Sequence, residues 1–128
     1  MIVGTGVDIF EIDRVQKLLD EHGERFLHRV FTDWEVATCM ARARPIQHFA
    51  GRFAAKEAAF KALGTGWSSG VSWKDVELVN EPSGRPVLRL GGGAARRAKK
   101  LGVDHMWVSV SHGLMHAVAT VTFESGAD

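Results

Sequence analysis

The spacing of hydrophobic residues changes several times along the chain, and each change marks an element. Residues 2–9 (Ile2-Val3-Gly4-Thr5-Gly6-Val7-Asp8-Ile9) are rich in β-branched side chains and predict a strand. Ile12, Val15, Leu18 and Leu19 then repeat at helical spacing, with Gly23 as a stop. Phe26, Leu27, Val30 and Phe31 predict a short helical turn. Thr32 with Glu35 three places on is a capping box, so a further helix starts at Asp33 and ends near Arg42–Arg44, ahead of Pro45. The longest helix is expected from Pro45 to Leu63, with proline in its first turn and Gly64 at its C-terminal cap.

The second half predicts mainly strands. Gly, Ser and Trp fill residues 64–70, which predicts a loop. Val76 to Val79 and Val87 to Leu90 form a hairpin across the turn Glu81-Pro82-Ser83-Gly84-Arg85-Pro86. Ala94 to Leu101 predicts a short basic helix closed by Gly102. Met106 to Ser111 and Met115 to Phe123 are two strands joined at His112-Gly113-Leu114. With no linker, low-complexity run or repeat, this order implies one α+β domain over residues 1–128 with an antiparallel sheet.

Composition narrows the function classes. The 128 residues suffice for one core and not for two. A net charge of +1 leaves no global field, so any binding surface must be local, and nucleic-acid binding ranks last among the alternatives. Cys39 is the only cysteine, which excludes an intrachain disulfide and favours an intracellular, cytoplasmic home. The N-terminus does not read as a signal peptide, and no apolar stretch approaches the roughly 18 residues of a membrane span.

Three segments hold candidate chemistry. With about 100° per residue in the 45–63 helix, Glu57 and Lys61 fall about 80° and 120° from Phe49, inside an arc also holding Ala50, Ala54 and Ala58. Arg52 and Lys56 fall on the other side. A carboxylate and an ammonium one turn apart are therefore expected inside the buried stripe. An exposed pair of this kind stabilises by only about 0.2–0.5 kcal/mol, whereas ionisable groups in an apolar wall suit a metal and phosphate site. Asp8 shares a strand face with Gly4 and Gly6, which leaves room for a ligand or for another backbone; capping of a following helix is the competing role. Ser109 and Ser111 share a strand face and lead into His112, a polar strand end suited to a phosphate or simply a solvated turn. Gly91-Gly92-Gly93 lacks the Gly-Lys-Ser/Thr ending of a P-loop, and Arg96, Arg97, Lys99 and Lys100 read as a solvated face. Trp34, Trp67, Trp73 and Trp107 are expected in the core or an interface.

In this order, the three segments resemble the holo-acyl-carrier-protein synthase family of phosphopantetheinyl transferases. Gly4-Thr5-Gly6-Val7-Asp8 is similar to the family's first metal motif, Phe49 through Gly64 to its central signature, and Ser109-Val110-Ser111-His112 to its third motif. Glu24-Arg25-Phe26-Leu27, Val30-Phe31-Thr32 and Gly84-Arg85-Pro86 extend the likeness over nearly the whole chain. Many members carry an acidic or polar residue after the histidine, where this chain has Gly113, which argues against a base there. The resemblance implies the 4′-phosphopantetheinyl transferase fold, coenzyme A as substrate, Mg²⁺ as cofactor and apo-acyl carrier protein as partner. It implies Asp8 and Glu57 as metal ligands, hard oxygen donors for a hard cation, and Glu57 and Lys61 as catalytic residues. Arg52, Lys61, Gly84, Arg85, Pro86, Ser109 and His112 would hold the nucleotide, and Arg14 would dock the carrier. It also implies a homotrimer with active sites between subunits. The alternatives are a non-catalytic module binding coenzyme A or carrier protein, and another Mg²⁺-dependent phosphotransferase or nucleotide hydrolase.

Overall fold

The computed structural model describes residues 1–65 and 70–126. Trp67 and part of the expected 64–70 loop therefore lie outside the described residues. Strand β1 spans Ile2–Glu11, followed by helices α1 (Ile12–His22), α2 (Glu24–Val30), α3 (Asp33–Met40) and α4 (Pro45–Leu63). A 3-10 turn at Trp73–Asp75 leads to β2 (Val76–Asn80), β3 (Pro86–Leu90), α5 (Gly92–Leu101), β4 (His105–His112) and β5 (His116–Glu124). The expected elements are all present, α4 with both ends as expected and the others with ends displaced by at most four residues. The strands divide between two antiparallel sheets, a three-stranded one ordered β1-β5-β4 and the β2-β3 hairpin.

Helix α4 packs against all three strands of the larger sheet and, on its other sides, against α1, α3, β2 and α5. What admits it is the inner face of β1. Gly4, Gly6, Asp8 and Phe10 point inward, while Thr5, Val7 and Ile9 point out. A Cβ placed on Gly4 would fall on the carbonyl oxygen of Ala62, and one on Gly6 would fall on that of Ala58. The two glycines thus serve the approach of another backbone, not a ligand. Ala117, Ala119 and Val121 of β5 continue the same buried floor.

This packing reverses one sequence expectation. Lys61 is not in the buried stripe: its side chain is half exposed and Glu57 is half-buried, while Lys56 and Arg52 are the buried cations. The wheel assumed one buried stripe, but beyond its first turn α4 is covered almost all round and opens only where Glu57 and Lys61 stand. Lys56 Nζ sits 2.7 Å from Glu35 Oε1, with both side chains fully buried. It also donates to the carbonyls of Trp73 and Val76, so its three N–H groups are all used. Glu35 in turn accepts from the backbone N–H groups of Thr32 and Leu78. Burial lowers the Lys56 pKa, and Glu35 opposes the shift. The Thr32–Glu35 capping box forms as expected, so one glutamate caps α3 and anchors α4.

Asp8 does not cap a helix. The strand runs on to Glu11, two residues beyond the expected end, and α1 begins at Ile12. The triglycine is a packing element: Asp75 Oδ2 accepts from Gly93 N–H at 3.1 Å, and a Cβ on Gly93 would meet the Gly70 carbonyl. Trp73 stacks on Phe53, 4.9 Å between ring centroids, whereas Trp34 and Trp107 are exposed.

Because a side chain at Gly6 meets helix backbone, Gly6→Ala should cost about 3 kcal/mol of stability. Gly113→Ala, which meets no atom within 4 Å, should stay within about 0.5 kcal/mol of the parent. Urea unfolding followed by circular dichroism measures both.

Candidate active site

The close approach of α4 to β1 brings three of the predicted residues together. Lys61 Nζ lies 2.8 Å from the Val7 carbonyl and 3.2 Å from Asp8 Oδ1, with the Asp8 side chain only 15% exposed. Glu57, one turn before Lys61, faces the same spot. Burial raises the Glu57 pKa above the usual carboxylate range and the Asp8 carboxylate raises it further, while Lys61 and Arg14 pull it down. Two carboxylates that repel each other beside one lysine form a site short of positive charge, and hard oxygen donors of this kind fit Mg²⁺. Among the described residues no group of three or more His, Cys, Asp or Glu side chains comes together that could hold a metal. A magnesium ion held by Asp8 and Glu57 would thus draw its remaining ligands from water and substrate, as this ion commonly does.

A second feature lies on the other side of α4. A cavity of about 180 Å³ is lined by Arg42, His48, Gly51, Arg52, Leu78, Asn80, Gly84, Pro86, Val110 and His112. Its cationic wall is built by burial. Arg52, 5% exposed, gives one Nη2 hydrogen bond to Asn80 Oδ1 at 2.9 Å and is left with a buried Nε that has no partner. The guanidinium lines the cavity and gives that wall a positive charge suited to an anion. Five residues separate Arg52 from Glu57 on α4, which turns them about 140° apart. The cavity and the carboxylate–lysine group are therefore separate in one chain.

Of the predicted nucleotide contacts, Arg52, Gly84, Pro86 and His112 meet in this cavity, and Lys61 stands with the carboxylates. Arg85 and Ser109 do not line it. Arg85 lies over the Trp107 ring, 5.5 Å from its centroid, and Ser109 is exposed on the outer sheet face. Arg42, His48 and Asn80 also belong to the lining and were not among the expected nucleotide contacts; a lone polar residue one place (His48) or seven places (Arg42) before the central signature gave no periodic signal of its own. Arg14 packs over Phe10 at 4.8 Å and lines a shallow groove with Leu18, His22, Arg25, Phe26 and Arg29, floored by Phe53 and Trp73. Among the described residues no helix is long and apolar enough to cross a membrane.

The sequence and the fold that bring Asp8, Glu57 and Lys61 to one strand–helix contact match a known family. The chain belongs to the 4′-phosphopantetheinyl transferase superfamily, which it matches over residues 4–121. It is 46% identical over 125 residues to the holo-[acyl-carrier-protein] synthase of Solibacter usitatus, covering 98% of this chain and 100% of the relative. The crystal structure of holo-[acyl-carrier-protein] synthase from Neisseria meningitidis superposes with a TM-score of 0.90 at 30% identity, over 98% of this chain and 100% of that one. That of Bacillus anthracis, in complex with CoA (3′,5′-ADP), gives 0.81 at 38% identity, over 98% and 99%.

The raised pKa sets a testable sign. Above the ordinary glutamate range the folded protein carries a charge at Glu57 that the unfolded chain holds more easily, so that carboxylate destabilises the metal-free fold there. The penalty fades as pH falls through the raised pKa and is gone below the unfolded value. Glu57→Gln should therefore raise the melting temperature at pH 7 and not at pH 4. Added Mg²⁺ should raise it for the parent and leave the variant unchanged, both read by thermal unfolding.

Proposed function

We propose that the chain transfers the 4′-phosphopantetheine group of coenzyme A to a serine of an apo-acyl carrier protein, with Mg²⁺, releasing 3′,5′-ADP. The carrying observation is the charge balance at α4, where Asp8 and Glu57 repel each other beside Lys61. The holo-[acyl-carrier-protein] synthase relatives and the CoA-bound structure support the substrate pair.

In the reaction, the carrier serine oxygen attacks the β-phosphorus of the CoA pyrophosphate. A new P–O bond forms to serine, the bridging P–O bond breaks, and 3′,5′-ADP leaves with the electron pair. Asp8 and Glu57 would hold Mg²⁺, which when bound supplies charge neutralisation for the pyrophosphate. Phosphoryl transfer asks chiefly for positioning and charge stabilisation. Lys61 would meet the phosphate oxygens from the side next to Asp8. Glu57, directly or through a water, would take the serine proton. Arg52, whose guanidinium lines the cavity, would bind an anionic part of the nucleotide there, alongside Gly84, Pro86 and His112.

Since cavity and carboxylates lie on opposite sides of α4, one CoA molecule would span two copies of the chain. This favours a homotrimer with active sites between subunits. The outer face of the larger sheet suits such an interface: Val7, Ile9, Val118 and Trp107 are exposed there, and large exposed apolar patches mark interaction surfaces. Ser109 on that face, and Arg85 on the β2–β3 turn, would meet the nucleotide at the subunit boundary. The groove of Arg14, Arg25 and Arg29 over Phe26 and Phe53 is a basic rim around an apolar floor, suited to a small acidic carrier. Arg14 also acts on Glu57, so a carrier docked there would present its serine near the carboxylates. The free, buried Cys39 fits a reducing compartment, the cytoplasm.

The direct test is the intact mass of an apo-acyl carrier protein after incubation with the chain, CoA and Mg²⁺, beside a chelator control. A gain of one phosphopantetheine is expected only without chelator; no gain with several folded carriers would favour a binding-only module. Lys61→Ala should lower kcat by about 10²–10³ in a protein that circular dichroism still shows folded, with a lower melting temperature at pH 7 because Asp8 and Glu57 lose the cation beside them. Arg14→Glu should raise KM for the carrier about tenfold and leave KM for CoA alone, since rim charges act mainly on encounter.

A further inference from the structure

The cationic cavity holds one group that the reaction scheme leaves unused, paired with one that it uses. His48 on α4 and His112 at the end of β4 stand edge to face, 5.3 Å between ring centroids at an interplanar angle of 75°. Both line the cavity with Arg42 and Arg52. One hydrogen bond ties the two segments together. Gln47, the residue before His48, donates to the carbonyl of Gly113, the residue after His112, at 3.4 Å. His48 itself is half-buried. Burial lowers its pKa, and the charged groups that act on it, His112, Arg42 and Arg52, lower it further; none is a carboxylate.

A half-buried imidazole facing another imidazole and two guanidiniums is a poor place for a proton while the cavity is empty. A phosphate there changes the sign of the local field, and a protonated imidazole then gains a charge-assisted hydrogen bond. We propose that His48 is a further nucleotide-binding residue, and that the cavity takes up a proton at His48 when it binds a phosphate group of coenzyme A. The inference rests on the cavity being the nucleotide site. The sign follows from linkage. A group that binds its proton more tightly in the complex makes binding stronger at low pH, and this advantage is lost as pH rises through its value in the complex.

The test is isothermal titration of CoA into the full chain with saturating Mg²⁺ at pH 6.5 and pH 8.0, a range in which a phosphate monoester is mainly dianionic. Parent, His48→Gln and Arg52→Ala are compared, and the parent is run at pH 7 in two buffers of different ionisation enthalpy. Because Asp8 and Glu57 are common to parent and His48→Gln, only the difference in slope reports His48. The expected result is a parent Kd that rises about five- to tenfold more between the two pH values than that of His48→Gln, with net proton uptake on binding. Equal slopes, or no buffer dependence in the parent, would overturn the role of His48 while leaving the nucleotide site in place. CoA binding that Arg52→Ala does not weaken would instead overturn the nucleotide reading of the cavity, and this inference with it.

Discussion

Everything at the site depends on how closely α4 lies against β1. The carbonyls of Ala58 and Ala62 occupy the space that side chains at Gly6 and Gly4 would fill. Such backbone contact is possible only where Cβ atoms are missing. It sets the height of α4 over the strand, and the next inward position, Asp8, consequently meets Lys61 and Glu57. A wider helix–strand spacing would leave those three groups as ordinary surface charges.

The other sides of α4 are fixed by buried polar groups with opposite outcomes. Lys56 is completely satisfied: a carboxylate and two carbonyls take its three protons, and Glu35 spreads its own acceptors over Thr32 and Leu78. Such a pair adds little net stability, but removing one partner would leave a buried charge uncompensated. Its role is to hold α3, β2 and α4 in one arrangement. Arg52, one turn earlier, is buried to a similar extent and only partly satisfied. Lys56 is closed off and Arg52 lines a cavity, a difference in surroundings that the sequence run Arg52-Phe53-Ala54-Ala55-Lys56 does not show.

The secondary structure was legible because its signals are local. The capping box at Thr32–Glu35, Pro45 and Gly64 at the ends of α4, and the Pro-Ser-Gly turn all act within a few residues. Asp8, Glu57 and Lys61 were legible through a family resemblance spanning the chain, and the structure groups them. Their burial was not legible. A wheel calculation assumes one buried face, and α4 has neighbours on nearly every side.

By itself, then, the sequence determined which segments form helices and strands, where they stop, and which residue types were present for phosphate and metal chemistry. Local backbone preference and short-range capping settle those matters. Tertiary structure alone decided that Gly4 and Gly6 admit a helix and not a ligand, that Lys56 and not Lys61 is the buried ammonium, and that Arg42, His48, Arg52 and His112 share one cavity. Each of these depends on groups distant in the chain, such as Lys56 with Glu35 and His48 with His112. Only the packing of α4 into the surrounding elements brings their charges within a few ångströms.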